Sequence, residues 1–295
     1  MILALIVTHN RLSDLKICIK CIKNQKLPPD QILIINNGST DGTLNYLKIS
    51  NLNYINSKNL GSAGGWNIGI QYAIDNNFKY IWMMDDDGYP HMNALYTLNK
   101  NFNSEFSCVS SLILDSKNQN KLAIPLPKLN KNNNPILFKI NRKIRKINEL
   151  NQINNFYNFA NFFNGALIRI SAIKKIGNIN INFFLYGEEV DYFHRLRKVG
   201  KVVTNINAYH FHPSINKKWT HIKIYYYLRN SIYLNYKYYD YPFLRSIFNI
   251  LAIIFRVIKN NGLFFFIKLF KPKDLKKYIK AIKKGFNLEI GNDSI

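Results

Sequence analysis

Three consecutive carboxylates, Asp85, Asp86 and Asp87, follow directly on the apolar run Tyr80-Ile81-Trp82-Met83-Met84. A run so short, closed by Gly88 and Pro90, reads as a buried strand with its acids at the C-terminal end. In extended chain alternate residues face one side, so Asp85 and Asp87 point together. Like charges that close resist ionisation unless a cation lies between them, and an oxygen-preferring dication answers that need. His210 and His212, alternate residues of a later strand, offer a third donor, and an imidazole in the shell favours Mn2+ slightly over Mg2+. A second acidic group, Glu188, Glu189 and Asp191, opens a helix, where crowding raises one carboxyl pKa towards the range of a general base. Asp191 stands one turn before Arg195, where an ion pair is expected. In the loop NLGSAGGW, which begins at Asn59, Gly61, Gly64 and Gly65 let backbone approach a ligand closely, and the helix behind them presents a phosphate-favouring N-terminus. Trp66 reads equally as core and as a platform for a sugar ring. Alone, DDDG is most often a polar turn and a glycine loop plain turn chemistry.

The elements needed to position these groups follow one pattern over the first 90 residues. An apolar strand over residues 2–7 ends in Thr8, His9, Asn10 and Arg11, and Ser13 caps a helix running to about Asn24. A second strand, QILIINN, runs into a polar turn and another helix. A third, around Tyr54 and Ile55, leads into the glycine loop and a helix to about Asn76, after which comes the strand that carries the acids. Strands alternating with helices describe an α/β fold, a mostly parallel sheet wound with helices on both faces, and ligands of such sheets gather beyond the strands' carboxyl ends. Past residue 90 the sequence predicts a helix near 92–102, a strand near 108–114, and a long loop or flap over 117–155, rich in Asn and Lys and carrying Pro125, Pro127 and Pro135. A strand and short helix over 161–177, the GEEVDYFHRLRKVG helix and the strand KVVTNINAYHFH complete a first domain, residues 1–218. Residues 219–295 read as basic, amphipathic helices.

Composition bounds the classes of function. The chain has 295 residues, 47% of them hydrophobic, and a net charge of +24. That charge points to an acidic partner: nucleic acid, an anionic membrane or phosphorylated substrates. Cys18, Cys21 and Cys108 are the only cysteines. The first two fall on the apolar face of a helix with no second pair to complete a zinc site, so reduced core thiols and a reducing cytoplasm are expected. The start, MILALIVTHNR, lacks a basic region and reads as a strand, so no signal peptide is expected. No run reaches the ~18 uncharged apolar residues of a membrane-spanning helix.

The ordered set VTHNR, INNGSTDGT, NLGSAGGWNIG, WMMDDDG, NGALIRISAIKKIG, GEEVDYFHRLRKVG and AYHFH resembles the inverting family 2 glycosyltransferases of GT-A fold, over residues 2 to about 212. The triple aspartate with the NLGSAGG loop most resembles the galactofuranosyltransferase and rhamnosyltransferase branch. The resemblance implies a nucleotide-binding half, 1–90, an acceptor-binding half, 91–218, and Mn2+ or Mg2+ held by Asp85 and Asp87 with a histidine, His210 by register rather than His212. It assigns the donor pocket to Thr8, His9, Asn10, Arg11, Asn37, Asn59, Gly61, Gly64, Gly65, Trp66 and Asp86. The chain has Asn36 and Asn37 where most members carry aspartate; an amide still pairs with a uracil edge. Glu189 is implied as base, with Glu188 and Asp191 beside the acceptor, and Arg229 of the YYYLRN stretch as a phosphate contact. The implied reaction moves galactofuranose from UDP-galactofuranose, or alternatively rhamnose from dTDP-rhamnose, to a glycan or lipid-linked glycan of the cell surface.

The C-terminal segment carries lysines on one helical face and Leu275, Tyr278, Ile279 and Ile282 on the other, the pattern of helices lying in a membrane interface. The expected place is therefore the cytoplasm, peripheral on an anionic inner membrane. Two rival classes remain. A nucleotidyltransferase would share the sheet and the acids, but opens with a glycine-rich loop where this chain has Thr8 to Arg11. A non-catalytic basic module binding RNA or membrane leaves the acid cluster and the paired glutamates unexplained, and no nucleic-acid partner is expected.

Overall fold

The computed structural model describes residues 1–139, 141–151, 153–213 and 218–293. They form two compact units: Met1–Ile179 with Tyr192–Ile215, and Asn180–Asp191 with Asn216–Ile295.

The first unit opens with β1 (Ile2–Thr8), α1 (Leu12–Lys23), β2 (Gln31–Asn37), α2 (Thr43–Ile49), β3 (Asn53–Ser57), α3 (Gly61–Asp75) and β4 (Tyr80–Asp85). Every residue of β1 is buried, because helices cover both faces of the sheet. Ile2, Ala4 and Ile6 join Leu15, Cys18, Ile19 and Ile22 of α1 in one core cluster. The alternate residues turn the other way, towards α3: Leu5 lies where a side chain on Gly69 would be, and Val7 where one on Gly65 would be. Cys18 and Cys108 are buried free thiols, and Cys21 is free and half-buried.

The chain continues through β5 (Tyr89–Pro90), α4 (Ala94–Lys100), β6 (Phe106–Asp115), β7 (Lys121–Pro127), β8 (Lys143–Lys146), β9 (Phe156–Tyr157), β10 (Asn164–Arg169), α5 (Ile170–Ile176), α6 (Glu188–Leu196) and β11 (Lys201–His212). The main strand order is β3-β2-β1-β4-β10-β6-β11-β5. β3, β2, β1 and β4 are parallel throughout, as the sequence implies. β10 enters antiparallel between β4 and β6, and β11 runs parallel to β6, so the second half of the sheet is mixed. The expected flap over 117–155 is a correction. β7 and β8 pair antiparallel there, with Leu126 opposite Ile144 and a register shift that spans Pro125. Leu122, Leu126 and Ile144 pack with Leu112 and Leu114 of β6; buried residues so scattered among Asn and Lys leave no periodicity to read.

β1 and β4 run in step, Val7 opposite Asp85, and β1 lies between β2 and β4. The connections leaving the carboxyl ends of β1 and β4 therefore go to opposite sides, which opens the crevice where such sheets take ligands.

The second unit gathers α7 (His221–Tyr238), α8 (Pro242–Asn261), α9 (Leu263–Lys268) and α10 (Pro272–Phe286). Thr220 caps α7 by accepting from the Lys223 amide at 3.3 Å. Ile224, Tyr225, Leu228, Ile253, Val257, Tyr278 and Ala281 form its core. Residues 180–191 belong with these helices because Asn230 of α7 donates through its amide to the carbonyls of Phe183, Leu185 and Tyr186, at 3.1, 3.0 and 2.6 Å. Among the described residues no helix is long and apolar enough to cross a membrane.

Candidate active site

The acid cluster sits where the sheet places it, just beyond β4. Asp85 ends the strand, half-buried, its N–H donating to the Phe163 carbonyl at 2.6 Å. Asp86 turns inward and is 2% exposed. Its carboxylate accepts from Thr8 Oγ1 at 2.7 Å, Arg11 Nη1 at 2.7 Å and the His9 amide at 3.4 Å. Burial raises the Asp86 pKa, with Arg11 and the Thr8 hydroxyl opposing the shift. Its observed partners are thus the turn after β1, and it fixes that turn against β4.

Asp87 lies outward of Asp86 and has two cationic or metal-binding neighbours. Arg11 Nη1 is 2.8 Å from Oδ2, and His212 Nε2 is 3.2 Å from Oδ1. His212 Nδ1 lies 2.7 Å from the Pro213 carbonyl oxygen. That oxygen only accepts, so Nδ1 carries the hydrogen, and a neutral imidazole then turns the bare lone pair of Nε2 towards a carboxylate oxygen. Two acceptors that close call for a positive charge between them: a second ring proton or a metal ion. A backbone carbonyl that fixes the far nitrogen is also the usual outer partner of a ligating histidine.

Asp87 and His212 therefore fit a dication. Among the described residues no group of three or more His, Cys, Asp or Glu side chains gathers into a complete cage. A site with few protein donors suits a cation whose remaining positions go to substrate phosphate and water. His210, the ligand that register gives, lies beside Gly88 and close enough to Asp87 and His212 to feel their charge. It is wholly buried, and its ring lies so close to Gly88 that a Cβ there would stand 2.4 Å from Nε2. Among the described residues neither ring nitrogen has a hydrogen-bond partner, and burial depresses its pKa to about 3, which keeps it neutral.

The proposed donor pocket is stitched together by its own side chains. Asn37 donates from Nδ2 to the Gly61 carbonyl at 2.8 Å and accepts at Oδ1 from the Leu60 amide at 3.0 Å. Asn59 Oδ1 accepts from the Gly61 amide at 3.0 Å, and His9 Nδ1 lies 2.9 Å from the Asn37 carbonyl. Asn10 Oδ1 accepts from the Thr40 amide at 2.6 Å. The Asn37 amide, expected to pair with a base, shapes the 59–61 loop instead. Gly64 and Gly65 likewise serve packing rather than backbone approach to a ligand: a Cβ would stand 2.4 Å from Leu60 Cβ and 2.6 Å from Val7 Cγ1 respectively. Trp66 resolves as core, wholly buried and stacked on Phe163 with centroids 4.4 Å apart.

In the second unit, Glu188 and Asp191 are buried at the start of α6, and Glu189 is half-buried. Glu189 Oε2 accepts from the Gly187 amide at 2.9 Å. Its pKa is raised, as expected, but the main cause is burial; the hydrogen bond with Glu188 works the other way. Phe184, Tyr186 and Gly187, at φ 63°, 63° and 96°, all hold left-handed backbone just before it. Such conformations persist where surroundings over-determine them, here through the Asn230 amide. Asp191 Oδ1 accepts from Lys237 Nζ at 2.9 Å and the Tyr238 hydroxyl at 2.6 Å, whereas Arg195 donates to the carbonyls of Ile176 and Asn178, both at 3.0 Å.

Arg229 is a second correction. It is wholly buried, ion-paired with Asp293 at 2.6 Å, and donates to the carbonyls of Gly291, Asn182 and Phe183 and to Asn230 Oδ1. A guanidinium so committed is a structural clamp and has no face left for phosphate. Sequence reading overlooked Asn230 and Arg11's grip on Asp87; their signals were the YYYLRN stretch and the only arginine in the turn after β1.

With this geometry in view, the glycosyl transferase family 2 model matches residues 4–176. The chain belongs to that family. It is 25% identical over 216 residues to the galactofuranosyltransferase GlfT1 of Mycolicibacterium smegmatis, covering 71% of this chain and 70% of the relative. To the GlfT1 of Mycobacterium tuberculosis it is 26% identical over 220 residues, 72% and 70% of the two. Among solved structures, GalNAc-T7 with UDP, GalNAc and Mn2+ superposes with a TM-score of 0.59 at 14% identity, covering 82% of this chain and 48% of that one. The mannosyltransferase PcManGT of Pyrobaculum calidifontis, with GDP-Man and Mn2+, gives 0.55 at 12% identity over 97% of this chain and 84% of its own. The fold is the GT-A fold of these glycosyltransferases, and the chain is a glycosyltransferase of the hexosyltransferase class.

Proposed function

We propose that this enzyme transfers galactofuranose, with inversion, from UDP-galactofuranose to a glycan or lipid-linked glycan in cell-surface polysaccharide synthesis. The choice of sugar rests on the two relatives named galactofuranosyltransferase. The observation that carries the donor side is the Asp87–His212 pair, whose facing acceptors call for a positive charge. Mn2+ or Mg2+ held there would neutralise charge developing on the departing diphosphate. Arg11 holds Asp87 from the other side, and Asp86 fixes Arg11. Glu189 is proposed as the base: it takes the acceptor hydroxyl proton as that oxygen bonds to the anomeric carbon and the bond to the diphosphate oxygen breaks. Burial raises its pKa, which makes it a stronger proton acceptor than a free glutamate. The enzyme is proposed to work at the cytoplasmic face of an anionic membrane, seated by its basic C-terminal helices.

Calorimetry with UDP-galactofuranose, UDP-galactopyranose and dTDP-rhamnose in the presence of Mn2+ tests the donor. Selective binding of dTDP-rhamnose would replace the galactofuranose reading, and release of no nucleoside diphosphate with any donor and acceptor would end the catalytic one.

A further inference from the structure

Helices α7–α10 border an open apolar cavity of about 140 Å3, lined among others by Leu228, Ile253, Val257, Phe266, Phe270 and Leu275. Tyr278 also lines it, but its hydroxyl lies 2.6 Å from His221 Nδ1, so it brings no free polar group. Its size and lining suit an apolar guest about as large as benzene. Phe270 and Leu275 line the cavity and are also 56% and 37% exposed, so it opens to the surface. On the same helices Phe255, Leu263, Phe264 and Ile267 are each more than half exposed. Apolar surface of that extent marks an interaction site.

Charge decides the occupant. Residues 242–286 contain two arginines and nine lysines against a single acid, Asp274. Arg245 and Lys284 are paired with Asp240 and Asp293, yet a second copy of the chain would still set nine cations against nine, whereas an anionic lipid surface offers hydrocarbon and negative charge together.

We propose that the cavity seats the end of a hydrocarbon chain drawn from an anionic bilayer lipid, while lysines next in sequence to its lining residues, Lys268, Lys271 and Lys276, hold the phosphate-bearing surface. The inference rests on the membrane reading above and adds a discrete site to it. Docking is then saturable and chain-length dependent, where charge attraction alone is neither.

The test titrates the full chain with butyl, hexyl and octyl phosphate, each below its micelle concentration. The headgroup is constant, so chain length reports apolar burial, and Val257→Phe separates the cavity from the exposed apolar surface. Affinity should rise about fourfold per added methylene until the cavity is full, since each buried methylene gains about that factor. A flat series overturns the proposal. Val257→Phe, which fills the cavity, should flatten the series while leaving the circular dichroism and the melting temperature near wild type. A steep series in a folded Val257→Phe variant also overturns it, and the wild-type series stands should the variant misfold. Flotation of the wild-type chain with phosphatidylglycerol vesicles but not with phosphatidylcholine vesicles is expected. A steep series without flotation would refute the bilayer as the source of the chain, and the membrane reading with it, leaving the sugar-transfer reading untouched.

Discussion

Replacing Arg229 by leucine should open the C-terminal helices and loosen the 182–183 backbone they hold. The side chain is fully buried, paired with Asp293, and donates to three carbonyls and one side-chain amide oxygen. Removing one member of a buried ion pair typically costs about 3–5 kcal/mol, most of it from the charge left behind. Here Asp293 keeps Lys284 and the Tyr225 hydroxyl, so its charge is not stranded and the lower end applies. A loss of about 3 kcal/mol is roughly a hundredfold in an opening equilibrium. Amide hydrogen exchange in α7, followed by mass spectrometry, should therefore accelerate about a hundredfold. Arg229→Lys should recover little, because one ammonium cannot span those acceptors. Exchange unchanged in α7, together with a raised KM for the nucleotide-sugar donor, would refute the clamp and restore Arg229 as a phosphate contact.

Asp87→Ala should abolish transfer and weaken donor binding in calorimetry, whereas Glu189→Gln should abolish transfer with donor binding near normal; equal loss of binding would refute that division of roles. A base works deprotonated, so the raised Glu189 pKa places the acid limb of the kcat profile above the range of a free glutamate, with activity lost as pH falls through it; an acid limb at or below that range would point to another base. His212→Ala should raise the Mn2+ concentration for half-maximal activity about 10–100-fold, and an unchanged metal titration would remove it from the site. Gly38→Ala combines left-handed backbone, φ 77°, with a Cβ 2.6 Å from the Asn59 amide nitrogen; it should lower stability by about 1–3 kcal/mol and raise the donor KM, measured by denaturant unfolding and steady-state kinetics.

The parallel half of the sheet was legible because each strand there is an uninterrupted apolar run ending in polar turn residues. The acid cluster was legible for the same reason: an abrupt change from Met84 to Asp85 marks a strand end as well as a site. The β7–β8 pair was not, since a segment that buries a few scattered apolar residues among many Asn and Lys looks like loop. Side-chain duties were the least legible part. Asn37, Gly64 and Gly65 stood at positions with a ready ligand-binding explanation, yet their contacts are to Leu60, Gly61 and Val7. Sequence also ranked His210 and His212 by register, while their difference depends on what each ring meets: two glycines for one, a carboxylate and a carbonyl for the other.

The stitching of Thr8, Arg11, Asp86, Asn37 and the 59–61 loop has a consequence for engineering. No connection at this end of the sheet can be exchanged as an independent cassette, because each ends on a side chain that another requires. Switching the accepted sugar by grafting a single loop from a relative should fail, and success should require the set to be moved together.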